Sequence, residues 1–246
     1  MTSRHDGRGV VISGGTSGIG LACAARLHEE GARVWILGTS AETVDRALHE
    51  LPDGVCGGVC DVSDEQAVEA AVAEAAAALG RIDVAICNAG IDGQGVNALE
   101  LDVASLRRVL DVNVVGVFLL ARACARLMSP GSAIVINASV NALRPEAAFL
   151  DYNASKAGAA MVARSLALDL APRGIAVSAI LPGYVPTRMT EPFLRDETTR
   201  AEILEGIPFG RLGTPEEVAG LVAYLASAEA AYMTGALVTI DGGRSA

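Results

Sequence analysis

The chain has 246 residues, 51% of them apolar and only 4% aromatic, with a formal charge of −10 at pH 7. That balance argues against a nucleic-acid partner, because phosphate-backbone binding needs a cationic stripe and base stacking needs aromatics. The length is enough to bury a substantial core without disulfide or metal staples.

The polar start, MTSRHDGRG, has no apolar leader, and no later run reaches membrane-spanning length. A cytoplasmic chain with no membrane partner is expected. Cys23, Cys56, Cys60, Cys87 and Cys124 are scattered without a paired CxxC, and all three histidines precede residue 50. The reading is therefore buried free thiols and no metal site. The NAS sequons at 137–139 and 153–155 carry no weight without a secretory route.

Taken in order, apolar β-branched runs alternate with helical patterns. The first predicted strand, VVIS at 10–13, runs into SGGTSGIG at 13–20, where Gly14, Gly18 and Gly20 open the first helix. Glycines at such a turn permit close backbone approach, and a helix amino end there suits a pyrophosphate. No lysine follows the last glycine, so a P-loop is excluded. The second strand, VWIL at 34–37, ends in Gly38, Thr39 and Ser40, with no carboxylate to hold a ribose 2′-hydroxyl. That leans cofactor choice towards NADP, although no arginine stands at 39 or at Ser17 to pair a 2′-phosphate.

The third strand is predicted at 58–62, followed by a helix capped by a Ser63–Gln66 box. The fourth, VAIC at 84–87, ends in Asn88-Ala89-Gly90. A long helical stretch at about 100–127 precedes a fifth strand, 133–137, with Ser139 beyond it. Another helix, 152–171, begins with YNASK, which puts Tyr152 and Lys156 on one face. The sixth strand, 175–181, meets Pro182-Gly183, and the segment 183–213 breaks the alternation as a binding lid would. Thr214, Pro215 and Glu217 start a last helix before the seventh strand, 236–240. This order implies one α/β domain over 1–246: a Rossmann-like, doubly wound, seven-stranded parallel sheet with helices on both faces. Polar clusters at the strand ends would line its ligand crevice.

The chain resembles the short-chain dehydrogenases/reductases over nearly its whole length. The resemblance is carried by the glycine loop, Asp61, Asn88-Ala89-Gly90, Asn113 in LDVNVVG, Ser139, Tyr152/Lys156, Pro182-Gly183, Thr187 and the closing TGALVTIDGG. Ser13 in place of the family's common threonine keeps a hydroxyl, and Cys87 replaces a common asparagine. The resemblance implies a catalytic set of Asn113, Ser139, Tyr152 and Lys156. Tyr152 would be the general acid or base, and Lys156 would bind the nicotinamide ribose and lower the phenol pKa. Ser139 would hold the substrate oxygen, and Asn113 would support a water-linked proton relay. Gly14, Ser17, Gly18, Ile19, Gly20, Thr39, Asp61, Val62, Asn88, Ala89, Gly90, Pro182, Gly183, Val185 and Thr187 would bind NAD(P) together with Tyr152 and Lys156. Asn153, Ala154 and Ser155 are read as spacers.

The implied activity is hydride transfer between a nicotinamide cofactor and a small carbonyl or secondary alcohol, by a homotetramer assembled through the two long central helices. Candidate substrate residues are Gln94, Asn141, Arg144, Phe149, Tyr184 and Arg188, the two arginines being possible anchors for an anion. A catalytically idle nucleotide sensor would be expected to lack the Tyr/Lys pair, and a sugar-nucleotide epimerase would need a further substrate domain.

Overall fold

The computed structural model describes residues 3–246. Its first half runs β1 (Gly9–Ser13), α1 (Gly18–Glu29), β2 (Arg33–Gly38), α2 (Ala41–Glu50), β3 (Cys56–Val59), α3 (Glu65–Leu79) and β4 (Val84–Cys87). Then come α4 (Val103–Leu110), a π-helical turn (Asp111–Gly116), α5 (Val117–Leu127) and β5 (Ala133–Asn137). The rest is α6 (Leu150–Leu170), β6 (Ala176–Pro182), α7 (Glu191–Arg195), α8 (Glu197–Glu205), α9 (Pro215–Leu225) and β7 (Leu237–Ile240).

All seven strands pair in parallel, in the order β3-β2-β1-β4-β5-β6-β7. The order reverses between β1 and β4, and a crevice opens at the carboxyl ends of strands at such a switch point. Strand side chains alternate between two cores. Val11, Ala85, Cys87, Ile134 and Ile136 pack under α3, α5 and α6, whereas Val10, Ile12, Val84, Ile86 and Val135 pack under α1 and α9. Burial on both faces is why these strands read as continuous apolar runs.

Two boundaries depart from the sequence reading. β3 lies two residues early, because Cys56–Val59 pairs with Trp35–Gly38, and beyond it only the Cys60 amide reaches the Gly38 carbonyl, at 2.7 Å. Apolar patterning favoured 58–62 over a Cys-Gly-Gly start of low β propensity. Asp64, not Ser63, caps α3, accepting from the Gln66 and Ala67 amides at 2.8 and 3.1 Å, while the Ser63 hydroxyl binds Asp61. The Thr214–Glu217 capping box on α9 is complete. The 100–127 stretch is helical without a break from Val103 to Leu127, with a π turn carrying Asn113 in its middle. Within 183–213, α7 and α8 form two short helices. Cys23, Cys60, Cys87 and Cys124 are buried and all five cysteines are free, but Cys56 is exposed at the start of β3.

Candidate active site

A cleft of about 870 Å³ runs across the carboxyl ends of the strands. One end is built mainly of backbone. Ser17 is the N-cap of α1 but makes no side-chain cap bond, so the first-turn amides stay open towards the cleft. Gly20 packs so tightly that a Cβ there would lie 2.1 Å from the Gly14 carbonyl oxygen, and Gly14 itself has φ +62°. Only glycine satisfies either position without displacing the turn. An uncapped helix terminus at a closed glycine turn, opening into a cleft of dinucleotide size, fits a pyrophosphate-bearing ligand.

From that turn a hydrogen-bonded string crosses the sheet. The Ser13 hydroxyl accepts from the Asn88 and Ala89 amides, both at 3.1 Å. Asn88 donates to the Gly14 carbonyl at 2.9 Å and accepts from Asn137 Nδ2 at 2.8 Å. The Asn137 carbonyl then accepts from Lys156 Nζ at 2.9 Å. The glycine turn and Lys156 are thus held to one frame by the ends of β1, β4 and β5.

At the far end, α6 presents Tyr152 and Lys156 with Lys156 Nζ 5.6 Å from the phenol ring centre. Ser139 caps the turn after β5 and lines the same cleft. Asn113 stands behind: its Oδ1 accepts from the Ile91 amide at 2.8 Å, and its Nδ2 donates to the Ile91 carbonyl and to Ser155 Oγ at 2.8 and 2.9 Å. The π turn presents this buried amide, a setting in which such turns are common. Ser155 passes the brace on to the Tyr152 carbonyl at 2.8 Å.

Burial pushes the Tyr152 phenol up, with the Ser139 hydroxyl opposing. Burial also pulls Lys156 down to about 8, with Asp92 opposing. Burial, with the Asp92 and Glu146 carboxylates adding to it, thus outweighs the Ser139 hydrogen bond and holds the phenol above its ordinary value.

The sequence matches the family profile described as enoyl-(acyl carrier protein) reductase over residues 14–245. The chain belongs to the short-chain dehydrogenase/reductase family. It is 40% identical to cis-4-hydroxycyclohexanecarboxylate dehydrogenase of Sinomonas cyclohexanicum, with 97% of each chain covered. It is 37% identical to meso-2,3-butanediol dehydrogenase of Serratia marcescens, over 99% of this chain and 96% of that one. A crystal structure of levodione reductase superposes with a TM-score of 0.92 at 36% identity, covering 98% and 99% of the two chains. The 3-ketoacyl-(acyl-carrier-protein) reductase of Brucella melitensis, complexed with NADH, gives 0.90 at 32% identity, again covering 98% and 99%. The chain is thus a nicotinamide-dependent oxidoreductase. No helix among its described residues is long and apolar enough to cross a membrane.

Set within the family's cleft, Gly14, Ser17, Gly18, Ile19, Thr39, Asp61, Val62, Asn88, Ala89, Gly90, Pro182, Gly183, Val185 and Thr187 all line it, as do Ser139, Tyr152 and Lys156. Gly20 does not; it closes the turn from behind. Asn141, Phe149 and Tyr184 line an adjoining cavity of about 330 Å³ beside Tyr152. Three substrate candidates fall elsewhere. Gln94 is exposed and its side chain accepts from the Asp102 amide. Arg144 is exposed and donates to the Arg244 carbonyl. Arg188 is exposed on the main cleft, outside the smaller cavity. Asn153 and Ser155 are not spacers: Asn153 ties the loop 141–146 to α6, donating to the Glu146 carbonyl at 2.7 Å and accepting from Asn141 Nδ2 at 2.9 Å.

Sequence reasoning missed Asp92, Glu146, Met189, Phe193 and Arg244 in the cavity wall, and Asn137 in the string. Among them, Asn137 alone carried a signal, as a polar residue ending a buried strand.

Proposed function

We propose that the chain interconverts a small carbonyl and its secondary alcohol, with Tyr152 as general acid in reduction and general base in oxidation. The carrying observation is that Ser139, Tyr152 and Lys156 line one wall of a cleft whose opposite end is a glycine turn with open amides. The bound nicotinamide would supply or accept the hydride. Open amides at Gly18 and Ile19, with Ser17, would hold the pyrophosphate, and Gly14 and Gly20 would keep the turn closed. Thr39, Asp61 and Val62 would bound the adenosine end, and Asn88, Ala89 and Gly90 its neighbouring ribose. Pro182, Gly183, Val185 and Thr187 would bound the nicotinamide. β2 ends without a carboxylate to repel a 2′-phosphate, which supports the lean towards NADP.

The protein's own part is proton management. Tyr152 gives its phenolic proton to the forming alkoxide, and Ser139 donates a hydrogen bond to the same oxygen, so charge is met as it develops. Lys156, anchored on the Asn137 carbonyl, contributes positive charge beside the phenol and a donor for a ribose hydroxyl. Asn113 holds the loop at Ile91 and, through Ser155, the first turn of α6, the frame for a water-linked relay.

The reading extends to residues 1–246 acting as one domain with 183–213 as its substrate lid. It also takes in a homotetramer joined through α4, α5 and α6, whose exposed Val103, Phe118, Leu127, Met161 and Leu168 are apolar. Sedimentation showing a monomer at micromolar concentration would overturn the tetramer. Free thiols on every cysteine support a reducing, cytoplasmic setting. The central test is Tyr152→Phe. The expected result is a kcat lower by about 10²- to 10⁴-fold with cofactor affinity retained by fluorescence titration. Turnover near the parent level would remove Tyr152 from the chemistry.

A further inference from the structure

The cavity beside Tyr152 has an apolar wall of Val140, Phe149, Met189, Phe193 and Ile203, with Phe149 and Phe193 edge to face at 5.8 Å. Its charges are mostly spent. Arg244, the guanidinium lining it, pairs with Glu146 at 2.6 Å and stacks on Tyr184 at 4.8 Å. Tyr184 donates to the same Glu146 carboxylate at 2.8 Å. No cation is therefore left over to receive an anionic substrate among the residues lining this cavity.

Two carboxylates are left over: Glu202, exposed on α8, and Asp92, which alone of the two also lines the main cleft. Asp92 lines both the cavity and the main cleft, as do Ser139 and Tyr152, so it stands at the border between them. Its Oδ1 accepts from the Gly93 amide at 2.8 Å, and among the described residues its Oδ2 takes no protein hydrogen bond. The loop carrying it is locked by fully buried Asp151, whose carboxylate accepts from the Gln94 and Tyr152 amides, both at 2.9 Å. One side chain thus fixes Asp92 relative to Tyr152.

We propose that Asp92 accepts a hydrogen bond from a second hydroxyl of the substrate. The enzyme then prefers compact neutral hydroxyketones and their diols over simple alcohols, and disfavours hydroxy acids. This rests on Tyr152 and Ser139 holding the reacting oxygen.

The test measures kcat/KM for pentane-2,3-diol, pentan-2-ol and 3-hydroxypentanoate in the parent, Asp92→Ala and Asp92→Asn, with thermal unfolding as the fold control. Ratios within one preparation are independent of the active fraction. A hydrogen bond to a charged acceptor predicts a parent diol-to-alcohol ratio of about 10 to 100, carried by KM and collapsing in Asp92→Ala. Asp92→Asn, which keeps an acceptor but loses the charge, should retain part of that ratio while gaining relative activity on the hydroxy acid. A ratio unchanged within twofold in Asp92→Ala, or a parent preference for the hydroxy acid, overturns the inference and leaves the Tyr152 reading standing. No turnover of any alcohol or diol by the parent would overturn the Tyr152 reading, and the inference with it.

Discussion

The two ends of the site are made of different materials. The glycine-turn end uses backbone amides, carbonyls and short polar side chains at strand ends. The cavity end uses long charged and aromatic side chains from four separated segments: Asp92, Ser139–Tyr152, Tyr184–Ile203 and Arg244. Backbone geometry follows directly from the fold, so the first end suits a shared cofactor. The second end can be rewritten residue by residue while the sheet stays as it is.

The comparison can be broken from either side. Gly20→Val places side-chain atoms against the Gly14 carbonyl and should cost about 3 kcal/mol of stability, with cofactor affinity falling as the turn opens. Urea denaturation and cofactor titration read both, and a variant with parent affinity would show the turn to be more yielding than its packing. Asp151→Ala acts on the other side, leaving the Gln94 and Tyr152 amides without their buried carboxylate acceptor at about 2 kcal/mol. Its expected signature is a substrate KM raised about tenfold with a cofactor Kd within twofold. Equal damage to both constants would mean that the two ends are not separable.

Lys156 lies at their seam and carries a pH signature. Its folded pKa, about 8, lies below the ordinary lysine value, so the folded state binds fewer protons than the unfolded chain between about 8 and 10.5. The burial penalty is therefore fully present below pH 8 and is relieved as pH rises through that window. Relative to Lys156→Met, the parent should gain on the order of 1 kcal/mol between pH 7.5 and 9.5, measured by urea unfolding at both values. Asp92 and Tyr152 face the ammonium and remain in the variant. A flat difference would show that Lys156 keeps its charge throughout. The smallest effect belongs to Ala148, whose φ of +65° places it in the left-handed region just before α6. Ala148→Gly should add up to about 1 kcal/mol by removing the Cβ conflict. Tm should rise accordingly, and a fall would show that unfolded-state entropy dominates there.

The sheet and its backbone-built end were legible because strand runs, a glycine cluster and a Tyr/Lys pair are local patterns. The cavity was not, because its partners meet only in the folded chain. Glu146 and Arg244 are 98 residues apart, and Asp92 and Tyr152 belong to different elements. Arg144 and Arg188 suggested an anion site in the chain order, but folding turns Arg144 to a backbone carbonyl and leaves Arg188 exposed on the main cleft, outside the smaller cavity. Even the α3 cap was ambiguous for a local reason: Asp61, Ser63 and Asp64 all offer oxygen acceptors, and only geometry assigns Asp64 to the helix and Ser63 to Asp61.

The uncapped start of α1 also has a kinetic consequence. α9 locks its first turn with a full capping box, whereas α1 leaves its leading amides without a side-chain acceptor. Deuterium should enter the Gly18 and Ile19 amides quickly in the free protein and slowly once an anion sits against them. Two peptides from one chain then form an internal clock pair, the α1 start reporting occupancy and the α9 start serving as the reference.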